Sequence, residues 1–352
     1  MSKGMQAAVV RGRGVISIET IPEPIIGDYD ALVQILACGV CTGTDAHILH
    51  GQFPFLAPYP FVLGHESIGR VVRVGDKVRH LNLDDLVLRP TALRQADPQT
   101  GLGSQWGGFA GLGLVSDSQA IWEDFPHPGS AALPAFSIAQ QVVPSNFDPV
   151  DAGMFITFKE TLSWMHKLGS LLGCSVVVLG TGPVGLCFVR IAKYLGAACV
   201  IAVGRRQDRL ELAAVMGSDV GINTATDDLQ TSILNLTDGK GADVIVEAIG
   251  NTDLLQQSTR ALAKDGQLAI YGVSPTMETT MSWAGTASDW QLRLIQPREE
   301  EVHDLALDLV RLGFIDLRAF VTHVMPLARI GDAFDLIAGK EALKITIAIA
   351  TA

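Results

Sequence analysis

The sequence has no apolar stretch that approaches the roughly 20 residues needed to cross a bilayer. Its first residues, Met1-Ser2-Lys3-Gly4-Met5-Gln6, contain neither an apolar core nor a small-residue cleavage site, so we expect no signal peptide. Positive charge is also scarce, because 26 Lys and Arg stand against 37 Asp and Glu and leave a net charge of −11. These absences argue against a membrane protein and against a nucleic-acid partner, which would need a basic face.

Cysteine is sparse as well, and the five residues are an odd number that does not suit a disulfide framework. Cys174, Cys187 and Cys199 lie in apolar surroundings and are interpreted as small core residues. Cys38 and Cys41 form a C-x-x-C, which is compatible with redox chemistry or with half of a structural zinc site. No second C-x-x-C exists to complete a four-cysteine site. This cysteine usage favours a reducing compartment, and we expect a cytoplasmic location.

The chain has 352 residues, and 48% of them are hydrophobic. This length and apolar content predict a globular protein of two domains. Up to about residue 150, short runs rich in β-branched residues alternate with Gly and Pro, which predicts strands at 7–10, 15–18, 31–36 and 69–74. Beyond that point strands and helices alternate. Helical segments are predicted at 151–168, 186–194, 208–216, 254–263, 300–311 and 330–338, and strands at 175–179, 199–203, 243–247, 267–271, 321–324 and 344–349. The alternation predicts an α/β fold with a doubly wound parallel sheet.

A glycine-rich turn follows the predicted strand that ends at Leu179. The segment from Gly180 to Gly185 matches G-x-G-x-x-G and is followed by a helical stretch, the context that makes this pattern specific for a dinucleotide. The glycines permit the tight turn, let the pyrophosphate approach the backbone and bring the helix close to the strand. The predicted cofactor contacts in this turn are Gly180, Thr181, Gly182, Pro183, Val184 and Gly185.

The end of the next predicted strand distinguishes the two nicotinamide cofactors. In an NAD site an acidic residue about 20 positions after the glycines binds the ribose 2′-hydroxyl. This chain has Val203-Gly204-Arg205-Arg206 there, so no carboxylate repels a 2′-phosphate and two guanidinium groups are available to bind it. We therefore predict NADP(H). The alternative is that these arginines merely flank the adenine or begin the next helix.

A cysteine, a histidine and a glutamate form the second candidate site. His65 and Glu66 are adjacent in a segment otherwise built from Gly and Val, and Cys41 lies 24 positions upstream. Thiolate, imidazole and carboxylate together suit Zn²⁺ in an open-sided catalytic site. The alternative is a β-hairpin that carries an incidental His-Glu pair on its turn.

Taken together, these motifs resemble the zinc-dependent medium-chain dehydrogenase/reductase superfamily, the alcohol and polyol dehydrogenases. The resemblance covers nearly the whole chain in the family's order. It is carried by Cys38-Gly-Val-Cys41, Gly43-Thr44-Asp45-Ala46-His47, Gly64-His65-Glu66, Gly107-Gly108-Phe109-Ala110, the glycine-rich turn, and Gly339-Lys340 followed by Lys344.

The resemblance implies a catalytic zinc. Cys41 and His65 would ligate it, Glu66 would be a ligand or an exchanging neighbour, and Asp45 would orient His65. The family draws a further ligand from the helix before the glycine-rich turn. Glu160 is favoured for that position here, although another register would place Lys159 there, and an ammonium group cannot ligate zinc.

The resemblance also implies a proton relay from the substrate hydroxyl to solvent through Thr44 and His47. One extra residue lies between Cys41 and Thr44 compared with the family's spacing, which leaves Thr42 as the alternative hydroxyl. Lys344 is expected among the cofactor-binding residues. Relatives with a structural zinc carry four closely spaced cysteines where residues 83–118 have none, so we expect one zinc per subunit.

We therefore expect a GroES-like β-barrel catalytic domain over residues 1–153 and 298–352, and a Rossmann domain over 154–297. The expected reaction is hydride transfer between NADP(H) and an alcohol or its carbonyl, the alcohol being secondary, a polyol or a sugar. Relatives are dimers or tetramers, so a homodimer or homotetramer is expected. Two alternatives stay open: an NAD-linked polyol dehydrogenase, and a zinc-depleted nucleotide-binding protein without dehydrogenase activity.

Overall fold

The structure, a computed structural model, describes residues 4–53, 56–94, 96–126, 137–272, 278, 280–282 and 284–350. The chain divides into two compact units. The first unit comprises Met1–Ile156 and His303–Ala352, and the second comprises Thr157–Val302. In the described part of the chain, no helix has the length and apolar character needed to span a membrane.

The first unit is built mainly from short antiparallel strands. Its strands are β1 (Gly4–Gly12), β2 (Val15–Pro22), β3 (Asp30–Val40), β4 (Phe61–Val62), β5 (Glu66–Val74), β6 (Leu86–Leu88), β7 (Gly103–Ser104), β8 (Leu112–Ser116), β9 (Val142–Val143), β16 (Val321–Pro326) and β17 (Lys344–Ala348). Its helices are α1 (Thr44–Leu49), α2 (Ser118–Asp124), the start of α3 (Ala152–His166), α8 (His303–Arg311) and α9 (Ile330–Ala338). The predicted strands near 7–10, 15–18, 31–36 and 69–74 are confirmed as parts of β1, β2, β3 and β5.

Two sheets hold these strands together. One has the order β2-β1-β4-β7, and the other runs β16-β17-β3-β5-β6-β9 with β8 also paired to β3. The long strand β3 pairs antiparallel with both β5 and β17, so residues distant in sequence meet along it. Fully buried side chains, among them Phe61, Phe109 and Ile345, fill one core of this unit.

The second unit is a six-stranded sheet in which every described pairing is parallel, with the order β12-β11-β10-β13-β14-β15. Its strands are β10 (Ser175–Leu179), β11 (Cys199–Gly204), β12 (Val220–Asn223), β13 (Ala242–Glu247), β14 (Leu262–Ile270) and β15 (Gln291–Leu294). Its helices are the remainder of α3, α4 (Pro183–Tyr194), α5 (Gln207–Met216), α6 (Leu229–Leu236) and α7 (Thr252–Ser258). This strand order is that of a doubly wound dinucleotide fold, which confirms the predicted α/β class.

The sequence pattern was less accurate on the far side of this sheet. The helix predicted over 254–263 is α7, which ends at Ser258, and β14 already begins at Leu262. That prediction was wrong at its C-terminal end because the β14 residues Leu262 and Ala263 are apolar and buried, a pattern that a short strand shares with a helix. The short β12 and α6 were not predicted at all.

Candidate metal centre and dinucleotide site

Three predicted metal ligands come together in the first unit. Cys41 follows the end of β3, and Glu66 begins β5 directly after His65. Because Gly39 of β3 pairs with Glu66 across the antiparallel ladder, the two strand ends bring the three side chains to one place. Their ligand atoms all lie within 4.8 Å of one another. His65 and Glu66 are buried and Cys41 is partly buried, so the cluster is protected yet accessible from one side.

Asp45 is hydrogen-bonded to two of these residues, His65 and Cys41. Its Oδ1 lies 2.9 Å from His65 Nδ1, and its Oδ2 accepts a hydrogen bond from the Cys41 backbone N–H at 2.9 Å. Burial lowers the pKa of His65, but the Asp45 charge and the hydrogen bonds to Asp45 and Cys41 outweigh it and raise that pKa well above its ordinary value. A carboxylate on Nδ1 directs the other ring nitrogen to a metal, as ligating histidines usually require. The donor set and its orientation therefore fit Zn²⁺.

Lys344 lies against the cluster, whereas the sequence predicted it only as a cofactor-binding residue. Its Nζ contacts Glu66 Oε2, and both side chains are 2% exposed. Burial lowers the pKa of Lys344, but Glu66, Cys41 and Asp45 together raise it above its ordinary value, so the amine stays protonated. This ammonium group partly offsets the negative charges around it. Its expected contact with the cofactor stays a prediction.

Two glycines make room for this ion pair. A Cβ at Gly39 would lie 2.5 Å from Glu66 Oε2, 2.8 Å from Gly153 Cα and 3.2 Å from Lys344 Cε. A Cβ at Gly153 would in turn meet Gly39 Cα at 2.8 Å. The start of α3 thus packs directly on the backbone of β3, and a side chain at either position would displace the Glu66 carboxylate or the helix.

Two further residues contact His65 and were missed by sequence reasoning. Arg89 Nη1 donates to the His65 carbonyl at 2.6 Å, and the Trp106 ring centroid lies 5.2 Å from that of His65. Both have a positive φ, 58° for Arg89 and 65° for Trp106, a backbone conformation uncommon for large side chains. Such strain clusters at functional sites. No local sequence signal marks either residue, because the contacts depend on strand packing.

The predicted relay residues lie on the short helix α1. Thr44 is its first residue, and Asp45 and His47 follow on the same helix. Burial, followed by the nearby His50, lowers the pKa of His47, and its Nδ1 is buried with no hydrogen-bond partner among the described residues. A neutral imidazole with an open nitrogen can accept a proton. The relay itself stays a prediction for Thr44 and His47, with Thr42 in the turn before them.

The glycine-rich turn of the second unit has the form expected for a phosphate cradle. Gly180 follows β10 with φ +117°, and Gly182 is the N-cap of α4 with Pro183 as its first helical residue. A Cβ at Gly182 would meet nothing within 4 Å, whereas one at Gly185 would collide with the Gly180 carbonyl. Open space at the helix N-terminus and close packing behind it fit a bound pyrophosphate.

The end of β11 carries the residues predicted to read the adenosine ribose. A Cβ at Gly204 would lie 2.6 Å from Thr181 Oγ1, so a larger residue here would require the Thr181 side chain to shift. Arg206 is the N-cap of α5, and its guanidinium is bonded to Asp208. Beside it lies a cavity of about 280 Å³ at the carboxyl ends of the strands, lined in part by Arg205, Thr224, Asp227, Asp228 and Asn251.

Glu160 and Lys159 belong to the second unit and have partners there. Glu160 is half-buried, and Tyr271 Oη lies 3.4 Å from its Oε2. Lys159 is fully buried, 3.7 Å from Glu299 Oε2. The three-residue cluster of the first unit does not include Glu160. The assignment of Glu160 as a further ligand stays a prediction.

Comparison with known proteins gives family matches in both units. Residues 27–127 match the alcohol dehydrogenase GroES-like domain, and residues 183–296 match the zinc-binding dehydrogenase family. The chain is 30% identical to the NADP-dependent isopropanol dehydrogenase of Thermoanaerobacter brockii over 86% of this chain and 87% of that protein. It is 29% identical to an alcohol dehydrogenase of Cupriavidus necator, over 99% of both.

A solved structure from Sinorhizobium meliloti 1021, described as a zinc-binding dehydrogenase bound to NADP, is 26% identical with a TM-score of 0.78. The match covers 99% of this chain and 100% of that one. Motif order, sheet topology, the ligand cluster and these similarities lead to one conclusion. The chain belongs to the zinc-dependent medium-chain alcohol and polyol dehydrogenase family, with a GroES-like domain and a Rossmann-type parallel sheet.

Proposed function

We propose that this protein transfers a hydride between NADP(H) and a secondary alcohol, polyol or sugar and the corresponding carbonyl compound. The observation that carries the proposal is the buried Cys41-His65-Glu66 cluster with Asp45 behind it. A zinc ion held by Cys41, His65 and Glu66 would supply Lewis acidity, which would lower the pKa of a substrate hydroxyl in one direction and polarise a carbonyl in the other. We assign one zinc per subunit, with Glu160 as a further ligand.

The chain's own groups then divide the remaining tasks. Thr44 accepts the proton of the substrate hydroxyl and donates its own hydroxyl proton to His47. The lowered pKa of His47 keeps the imidazole neutral before this transfer. Asp45 keeps His65 in one orientation, and Lys344 offsets the charge of Glu66. In the second unit the turn from Gly180 to Gly185 holds the pyrophosphate and so orients the nicotinamide for transfer.

The preference for NADP(H) rests on Gly204, Arg205 and Arg206. No carboxylate stands at the end of β11, and two arginines follow it that can bind a 2′-phosphate, although Arg206 is paired with Asp208 in this structure. A relative at 30% identity is NADP-dependent, and a structural neighbour holds NADP.

We also propose a homodimer or homotetramer located in the cytoplasm. β15 ends the sheet order of the second unit and exposes Leu292 and Leu294, 45% and 77% accessible, beside an unpaired strand edge in the described residues. Edges of this kind tend to be covered by another chain. The five free thiols suit a reducing compartment.

The decisive experiment measures zinc content and NADP⁺ reduction across alcohols, polyols and sugars, with and without chelator. We expect about one zinc per chain and chelator-sensitive turnover. Cys41→Ser should lower kcat/KM by about 10³-fold or more and deplete the zinc. Protein with little zinc and no turnover of any alcohol would instead support a nucleotide-binding protein without dehydrogenase activity.

The cofactor assignment is tested separately with Arg206→Ala. We expect its kcat/KM ratio of NADP⁺ to NAD⁺ to fall by about tenfold or more, because a charge-assisted contact to the 2′-phosphate is lost. Introducing an aspartate at Gly204 would be less informative, because any Cβ there collides with Thr181. An unchanged ratio in Arg206→Ala would favour an NAD-linked enzyme.

A further inference from the structure

The Arg206 guanidinium is already engaged by a carboxylate two residues later. Arg206 Nε lies 3.0 Å from Asp208 Oδ1, and Arg206 Nη2 lies 2.7 Å from Asp208 Oδ2. Two parallel bonds of this kind form the fork by which arginine recognises a carboxylate or a phosphate. Asp208 therefore occupies one of the edges that Arg206 would offer to an anionic ligand.

Local structure keeps this carboxylate charged and in place. Arg206 is the N-cap of α5 in an extended conformation, φ −114° and ψ 126°, and Asp208 lies in the first turn. A negative charge there is favoured by the helix dipole. The hydrogen bond from Arg206 holds the pKa of Asp208 below its ordinary value. The contact is accessible to a ligand, because the two side chains are 46% and 58% exposed.

We propose that Asp208 competes with the ribose 2′-phosphate for Arg206 and thereby limits the preference for NADP(H) over NAD(H). The proposal rests on the NADP(H) function proposed above. Arg205 and Arg206 supply two positive charges, and Asp208, which also lies 3.8 Å from Arg209 Nε, offsets the charge of Arg206 next to a group that carries about −1.5 to −2. An exposed ion pair contributes about fivefold at most to an equilibrium constant. A 2′-phosphate can therefore displace Asp208 from Arg206, but its binding is weakened by the need to break that pair.

The test measures binding of 2′,5′-ADP and of 5′-AMP to the full-length protein by isothermal titration calorimetry, without turnover. We expect Asp208→Asn to tighten 2′,5′-ADP binding by about three- to fivefold and to leave 5′-AMP within about twofold. Glu211→Gln is the matched control: it removes one carboxylate from the same helix, and that carboxylate is bonded to Gln207 rather than Arg206. It should change each affinity by less than about twofold.

A double-mutant cycle separates this inference from the proposed function. Arg206→Ala should weaken 2′,5′-ADP binding by about tenfold, and adding Asp208→Asn to it should recover little, because the contested partner is gone. If Arg206→Ala has no effect on 2′,5′-ADP, the NADP(H) assignment fails. If Arg206→Ala weakens binding while Asp208→Asn leaves it unchanged or weaker, Asp208 does not compete and only the present proposal is overturned.

Discussion

The two units build their candidate sites in different ways. In the second unit six consecutive residues, from Gly180 to Gly185, form the cradle, and its polar groups are largely backbone amides at the start of α4. In the first unit the cluster is assembled from the end of β3, the helix α1, the start of β5 and the last strand β17. Its polar groups are buried, charged side chains.

The difference predicts different sensitivities. A backbone cradle depends on the absence of side chains, so the harmful changes are those that add atoms. A buried charged cluster depends on pairing, so the harmful changes are those that remove one partner and leave the other uncompensated. Three comparisons of variants test this contrast.

The largest effect on stability is expected for Lys344→Met. Without the ammonium group, Glu66 stays buried beside Cys41 and Asp45 without its ion-pair partner, and breaking such a pair costs about 3–5 kcal/mol. Amide hydrogen exchange in β3 and β5 of the metal-free protein should report this loss locally. Added zinc should restore part of it.

The matched control is Lys77→Met, which breaks an exposed pair with Asp28 in the same unit. There we expect less than about 1 kcal/mol. The double variant Glu66→Gln with Lys344→Met should recover much of the loss. A loss below about 1 kcal/mol for Lys344→Met alone would contradict the dependence on pairing.

In the second unit the contrast is between two neighbouring glycines. Gly185→Ala places a methyl group against the Gly180 carbonyl and should destabilise this unit by about 1–3 kcal/mol in urea unfolding. Gly182→Ala has open space and φ −79°, so it should leave stability nearly unchanged. It should instead weaken binding of the dinucleotide by about tenfold, because its methyl group lies where the pyrophosphate approaches. Equal stability of both variants would rule out the close packing assigned to Gly185.

The third variant, Asp45→Asn, is expected to act on zinc affinity. An amide can still accept from His65 Nδ1, but its NH₂ cannot accept from the Cys41 N–H, so one of two contacts is lost. We expect zinc affinity, measured by competition with a chelator, to fall by about 10- to 100-fold. Asp117→Asn is the control, because Asp117 is equally buried but bonds the backbone of Arg79 and His80. A parallel loss of affinity in that control would mean that Asp45 acts only through general stability.

The bounds of a helix or strand were predicted correctly where the residues of that segment alone show a clear hydrophobic pattern. The buried strand β10 and the helix α9 have the predicted bounds, since one is a run of β-branched residues and the other a well-defined amphipathic stretch. β12 has only four residues, including Gly221, and gives almost no periodicity to read. The helix predicted to 263 fails for a related reason, because Leu262 pairs with Ala242 of β13 and begins β14.

By itself the sequence determined the glycine-rich turn, the α/β class and three members of the ligand cluster, because each is marked by residues adjacent or close in the chain. Only the tertiary structure decided that Lys344 pairs with Glu66, 278 positions away. That contact follows from the antiparallel pairing of β17 with β3, which sets Ile345 opposite Val40. Register between distant strands depends on the packing of the whole unit, so no local pattern encodes it.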